Sequence, residues 1–282
     1  MSAATWRGPL SGRAKRARAY WLAGDVDPDP SLVTVGQWLN VWLETRYELR
    51  PSTRRLYTQD IRHYLRPGLG NVLLKDLTVG KVQAMFTKLL RSSGAGSKPL
   101  SPATLQRIRG VLRAALNGAI RRGLLTRNLA RWAELPSARR PRAVIWTDAR
   151  VAVWRAAGQR PAVAVWTVDQ TARFLAHVRG SNLHPLFHLV ALLGLRRGEV
   201  IGLRWCDVDV KARTLTVSDQ VQEIDGRGVV CPPKSEASVR TVALDRGTVT
   251  TLRHLRTESR SAASSGPSGR RSRWLPWRIS ST

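Results

Sequence analysis

Arg196 and Glu199 stand three residues apart in the stretch Gly194-Leu195-Arg196-Arg197-Gly198-Glu199-Val200-Ile201-Gly202-Leu203-Arg204-Trp205-Cys206-Asp207. Across one helical turn a carboxylate can fix a guanidinium, and a fixed, bidentate guanidinium stabilises the negative charge that phosphoryl transfer builds on nonbridging oxygens. The plainer reading, a solvated surface ion pair, fits the same spacing. Further on, Pro232-Pro233-Lys234-Ser235 sets a lysine in a turn, where a lone ammonium is ordinarily just hydrated. Cys206 and Cys231 are the only cysteines. They are too few for a disulfide framework, or for a cysteine-based metal site without many histidines beside them.

The charge balance says what such a guanidinium would meet. Lys and Arg number 47 against 19 Asp and Glu, a formal net charge of +28, and forty of the basic residues are arginine, whose planar fork suits phosphate and base edges. A polyanion is the expected partner, nucleic acid ahead of an anionic membrane surface or acidic proteins, although the codon bias of a GC-rich genome also enriches arginine. The N-terminus through Asp25 is basic but lacks an apolar core, and no apolar run approaches about 18 residues. The expectation is therefore a cytoplasmic protein with no membrane partner.

At 282 residues the chain has room for about two domains of ordinary size. Residues 1–32 read as a basic arm ending in Asp25-Val26-Asp27-Pro28-Asp29-Pro30. From 33 to 135 four amphipathic helices are expected. Thr34 caps the first (Val35, Trp38, Leu39, Trp42, Leu43). Ser52 caps the second (Leu56, Tyr57, Ile61, Tyr64, Leu65), which Pro67 and Gly68 stop. Thr78 caps the third (Val82, Met85, Phe86, Leu89, Leu90), and Ser101 with Pro102 opens the fourth (Leu105, Ile108, Val111, Leu112, Ala115, Leu116, Ile120). This segment carries eighteen Lys and Arg against five Asp and Glu. Singly, a solvated face explains Arg50, Arg54, Arg55, Arg62, Lys81, Lys88, Arg107, Arg109, Arg113, Arg121 and Arg122; jointly, with so few acids between them, they read as a DNA-binding set.

Residues 136–165 read as a linker in which Ile145-Trp146-Thr147 nearly repeats as Val165-Trp166-Thr167, its tryptophans clipping it to the domains. From 166 to 258 a mixed domain is expected: a capping box at Thr167 and Gln170, a buried helix from Pro185 to Leu193, a helical stretch from Arg197 to Trp205, then short antiparallel strands at Thr214–Val217, Val221–Ile224, Val229–Val230 and Val239–Leu244 with an Asp225-Gly226 turn.

The Gly194–Asp209 stretch resembles the first active-site motif of the tyrosine recombinases, the phage-integrase family. The resemblance implies that Arg196 grips the scissile phosphate and that Glu199 supports it. Pro232-Pro233-Lys234-Ser235 with Ser238-Val239-Arg240-Thr241-Val242-Ala243-Leu244 is similar to the family's lysine-bearing β-hairpin, which assigns Lys234 the protonation of the leaving sugar oxygen. The opening at Thr34–Trp42 with Ser52-Thr53-Arg54-Arg55-Leu56-Tyr57 is similar to the family's core-binding domain. The implied fold is mainly α, a four-helix SAM-like core-binding domain followed by a partial α+β catalytic domain. The implied partner is double-stranded DNA, with self-association or pairing with an intact recombinase. The family's mechanism needs no metal or nucleotide cofactor, because the phosphotyrosyl bond conserves the energy.

The family pattern also includes, after the hairpin, a His-x-x-Arg motif, a further His or Trp, and a tyrosine nucleophile. After the hairpin the one histidine is His254, without Arg three residues on, and all four tyrosines (Tyr20, Tyr47, Tyr57, Tyr64) lie in the first 64 residues. Residues 259–282 hold eight Ser, five Arg and no acid, the composition of a basic tail or of an out-of-frame reading in a GC-rich gene. A frameshift or early stop is the expectation, and with it a chain that binds DNA without recombining it. Two further readings stay open: a DNA-binding regulator or competitor, and an enzyme that receives a tyrosine in trans. A half-complete second domain is also expected to leave Leu186, Leu189 and Val190 uncovered and to be weakly stable or aggregation-prone.

Overall fold

The computed structural model describes residues 32–91, 99–224, 226–233 and 236–264. The expected basic arm before Leu32, Lys234 with Ser235, and the expected tail beyond Ser264 therefore lie outside the described residues. The chain divides into two compact units after Arg140.

The first unit is helical. Helix α1 (Val35–Glu44) begins at a reciprocal cap that the spacing of Thr34 and Gln37 dictates: the Gln37 N–H donates to Thr34 Oγ1 (3.2 Å) and the Thr34 N–H to Gln37 Oε1 (2.9 Å). Its apolar stripe buries Val35, Trp38, Leu39, Val41 and Trp42. Helix α2 (Pro51–Asp60) starts two residues earlier than expected. Ser52 is not its cap; Pro51 is at the first helical position, where a missing N–H costs nothing. Nor does the helix stop at Pro67. A π-helical turn over Ile61–Leu65, closed by the Arg66 N–H on Ile61 O, lets the four-residue α3 (Arg66–Leu69) start afresh with proline in its first turn.

Helix α4 (Val79–Arg91) and the 20-residue α5 (Pro102–Arg121) complete the layer, α5 capped by Ser101 as expected. Helix α5 buries Leu105, Ile108, Val111, Leu112, Ala115, Leu116 and Ala119 against α1 and α4. Trp38 Nε1 donates to Ala115 O at 2.8 Å, and a Cβ on Gly118 would sit 2.8 Å from Trp42 Cδ1, so glycine admits the indole.

The second unit opens with strand β1 (Val144–Ile145), helix α6 (Asp148–Ala157) and strand β2 (Ala164–Val165), β1 and β2 pairing in parallel. The span expected to be linker is thus partly built structure, and the near-repeat in its sequence is a repeat in space. Strand β2 leads into α7 (Val168–His177) as β1 leads into α6, twenty residues apart throughout. In each copy the tryptophan meets an aromatic eight residues on: Trp146 with Trp154 at 6.2 Å between centroids, Trp166 with Phe174 at 5.1 Å. The tryptophans clip the copies internally, and Gln170 Nε2 ties one to the other through Trp146 O (2.7 Å).

Helix α8 (His184–Leu193) ends at Gly194, whose φ of +63° suits glycine, and α9 (Arg197–Gly202) follows. Strands β3 (Val208–Asp209), β4 (Thr214–Val217) and β7 (Arg240–Ala243) form an antiparallel sheet in the order β3-β4-β7, and β5 (Gln220–Ile224) and β6 (Arg227–Cys231) a separate hairpin. Helix α10 (Arg246–Ser264) runs into the stretch expected to be tail. Its Val249, Leu252 and Leu255 join Leu189, Leu195, Val200, Leu203, Leu215 and Val217 in one core. Leu189 is fully buried and Leu186 partly so, contrary to expectation, because α10 covers that side of α8; Val190 stays exposed, as does Leu192.

Candidate functional site

Arg196 occupies the extended position just before α9, held there by the buried Leu195 and the turn at Gly194. Glu199, three residues into the helix, folds back on it: Arg196 N–H donates to Glu199 Oε2 (3.0 Å) and Arg196 Nη1 to Glu199 Oε1 (2.8 Å). A capping geometry thus aims this carboxylate at its arginine. Glu199 is 2% exposed whereas the Arg196 side chain is 71% exposed, so the guanidinium is anchored at one end and open to solvent at the other.

A third member comes from β7. Arg240 Nη2 donates to Glu199 Oε2 (2.9 Å) and Nη1 to Oε1 (3.3 Å), and Nη1 also reaches Ser238 O (3.3 Å). Burial pushes the Glu199 carboxyl upward, but hydrogen bonds from Arg240 and then from Arg196 outweigh it and hold the group at about 2. The cluster is one carboxylate between two guanidiniums, a net positive centre.

The β5–β6 hairpin is docked on α9 by glycine. A Cβ on Gly198 would lie 2.7 Å from Val221 O and one on Gly202 2.9 Å from Gln220 Cα, so the strand runs against the bare helix backbone. A second ion-pair network holds the approach to β5: Arg204 Nη2 reaches Asp207 Oδ1 (3.0 Å), Asp219 Oδ2 (3.0 Å) and Ser218 Oγ (2.9 Å). At the same open end of the hairpin, Gln220 Nε2 donates to Pro232 O (3.2 Å) and Pro233 is buried. Lys234, next in sequence and between β6 and β7, lies outside the described residues.

Arg240, Arg204, Asp219 and Gly202 were given no role on sequence grounds. One signal was available: in so basic a chain acids are few, and three of them, Glu199, Asp207 and Asp219, pair with arginine and mark the networks. The sequence's one His-x-x-Arg spacing, His63-Tyr64-Leu65-Arg66, falls on the π turn of the first unit, not after the hairpin.

Several of the expected DNA-binding set are bonded within the first unit. Arg54 spends its guanidinium on Leu43 O (2.9 Å) and Arg46 O, Arg107 on the buried Asp60 (2.8 Å), and Arg109 on Ala133 O (2.9 Å) and Gln106 Oε1 (2.7 Å). Lys81 Nζ reaches Asp76 O (2.8 Å), and Arg122 lies 5.7 Å from the Trp38 ring centroid. Arg50, before α2, is half-buried, while Arg55, Arg62, Lys88, Arg113 and Arg121 are exposed. Among the described residues no group of His, Cys, Asp and Glu could hold a metal ion, and no helix is long and apolar enough to cross a membrane.

Comparisons with known proteins agree with these units. Residues 34–90 match the family model of the phage integrase N-terminal SAM-like domain. Over 81% of its length the chain is 24% identical to a XerC-like tyrosine recombinase of Caldanaerobacter subterraneus, and over 31% it is 30% identical to the ICEBs1 integrase of Bacillus subtilis. It spans 56% of the first of these and 24% of the second. Among solved structures, the Tn1549 transposon integrase bound to transposon right-end DNA superposes with a TM-score of 0.61, at 18% identity over 80% of this chain and 66% of that one. A lambda integrase tetramer bound to a Holliday junction gives 0.53, at 20% identity over 84% and 60%. The fold is thus mainly α with a partial α+β second unit.

Proposed function

We propose that this chain, related to the tyrosine recombinases in sequence and in fold, binds duplex DNA in the cytoplasm as an integrase of a mobile element and grips a backbone phosphate with Arg196. The observation that carries the reading is the one-ended anchoring of Arg196: a buried carboxylate orients the guanidinium and most of the side chain faces solvent. The exposed Arg62, Lys88, Arg113 and Arg121, together with Arg50 and Arg55, supply further phosphate contacts from the helical unit, and Arg54, Arg107, Arg109, Lys81 and Arg122 also hold that unit together. Lys234, between β6 and β7 in sequence, is the proton donor to a leaving sugar oxygen where a partner provides the nucleophile. The domain boundaries that go with this reading are an arm through 32, a DNA-binding domain at 33–135 and a catalytic-type domain expected at 166–258, to which the second compact unit adds β1, α6 and β2 before it and the end of α10 after it.

All four tyrosines lie in the first 64 residues, which favours binding without strand cleavage by this chain alone. It then acts as a competitor or accessory of an intact recombinase. Titrating salt against affinity for a duplex tests the reading: six neutralised phosphates give a slope of about −5 in log affinity against log salt, and a slope near zero ends it. A nicked duplex carrying the site should yield no covalent adduct with this chain. An adduct on an added recombinase's tyrosine would instead place the chain as a partner in trans.

A further inference from the structure

Arg196 and Arg240 share one carboxylate but not in the same way. Arg240 lends both terminal nitrogens to Glu199 and a further contact to Ser238 O, from a side chain 32% exposed. Arg196 offers its side chain through one nitrogen only and is 71% exposed. Glu199, 2% exposed, must have a cationic partner, since a buried carboxylate stripped of one is strongly unfavourable.

We infer that Arg240 is a positioning residue: by satisfying Glu199 from strand β7 it leaves the charge and the open edge of Arg196 available to a DNA phosphate. Arg240 itself does not touch the DNA. The inference rests on the reading that Arg196 contacts a phosphate. Without Arg240 the buried carboxylate has Arg196 as its remaining partner, the guanidinium closes onto it, and the local charge falls from one net positive to zero. Arg196 is then present but spent. The chain thus holds two arginines where one carboxylate needs one, and the surplus faces outward.

The test compares salt slopes of duplex binding for full-length variants. Arg196→Met should make the slope shallower by about 0.9, the loss of one phosphate contact. Arg240→Met should do the same although it leaves Arg196 in place, and the double variant should lose nothing more. Glu199→Gln placed on Arg240→Met removes the carboxylate that captures Arg196 and should restore the parental slope, a rescue that a merely structural role for Arg240 would not give. An additive loss in the double variant, or an Arg240→Met slope equal to the parent's, overturns the inference. An unchanged slope in Arg196→Met overturns the underlying reading and is distinguishable for that reason. Should Arg240→Met fail to unfold cooperatively with heat, the charge-balanced Glu199→Gln/Arg240→Met variant carries the test. A slope shallower than the parent's there means that Arg240 itself meets phosphate, and the inference fails.

Discussion

Glu199 and Asp60 are buried carboxylates, each beside arginine, and protons act on them in opposite directions. Glu199 is held at about 2 in the fold against an ordinary value of 4.5. Its contribution is therefore complete above pH 4.5 and is lost as pH falls toward 2, at most about 3 kcal/mol before the screening of the exposed Arg196 end is counted. Thermal midpoints recorded from pH 6 to pH 2.5 should fall less steeply for Glu199→Gln than for the parent. Asp60, 1% exposed, is raised above its ordinary 3.8, because burial outweighs the attraction of Arg107. Its contribution is complete below 3.8 and declines as pH rises through the raised value. At neutral pH Asp60→Asn should therefore leave urea stability unchanged or higher. Arg107→Met, which strands the carboxylate, should cost about 3 kcal/mol, less whatever water recovers at the partly exposed arginine. Equal stability of Arg107→Met and parent would contradict this account. The sequence showed Arg107 as one of many arginines on a basic face. Its partner lies 47 residues away and its role depends on that partner's burial, neither of which a local pattern carries.

At the scale of elements, what could be read was what neighbours in sequence decide. The caps at Thr34, Ser101 and Thr167, the stop at Gly194 and the strand pairing around Asp225-Gly226 all arise within a few residues, and the structure has each of them or, for Asp225, the strands on either side. Pro67 misled because a proline stop assumes a regular α-helix, and the π turn before it resets the hydrogen-bond frame. The seat of the hairpin on α9 was invisible, since Gly198 and Gly202 earn their place from strand backbone some twenty residues on. Gly202→Ala sets a Cβ 2.9 Å from Gln220 Cα and 3.1 Å from Asp219 O, backbone that cannot step aside singly, and should lower stability by roughly 1–3 kcal/mol. Gly110→Ala is the contrasting change. It lies exposed inside α5 with open space around its Cβ, and should raise stability by about 0.5–1 kcal/mol. Urea midpoints at unchanged slope would check both, and a neutral Gly202→Ala would mean the hairpin is not fixed by that contact.

Over the whole molecule the two units differ in how much apolar surface they leave open. The first exposes Leu32, Tyr47, Leu90 and Trp132, while the second exposes more, among them Ile145, Trp154, Val165, Trp166, Leu183, Val190 and Leu192, beside one buried core. The chain should therefore unfold cooperatively yet associate as its concentration rises. In sedimentation at low and high loading, Trp166→Ser and Leu192→Ser should reduce that association, and a parent mass independent of concentration would argue against it. The twenty-residue repeat has a different kind of consequence. Phe174 of the second copy packs on Phe187 of α8 at 5.2 Å, and Trp154 is its counterpart in the first copy, eight residues after its own tryptophan and 45% exposed. The polypeptide therefore carries a decoy: a segment able to offer an aromatic to Phe187 in place of the native one. A chain that docks the wrong copy must let go before it can proceed, so refolding followed by circular dichroism should show a slow minor phase, and Trp154→Ser should abolish it while leaving the native second unit intact.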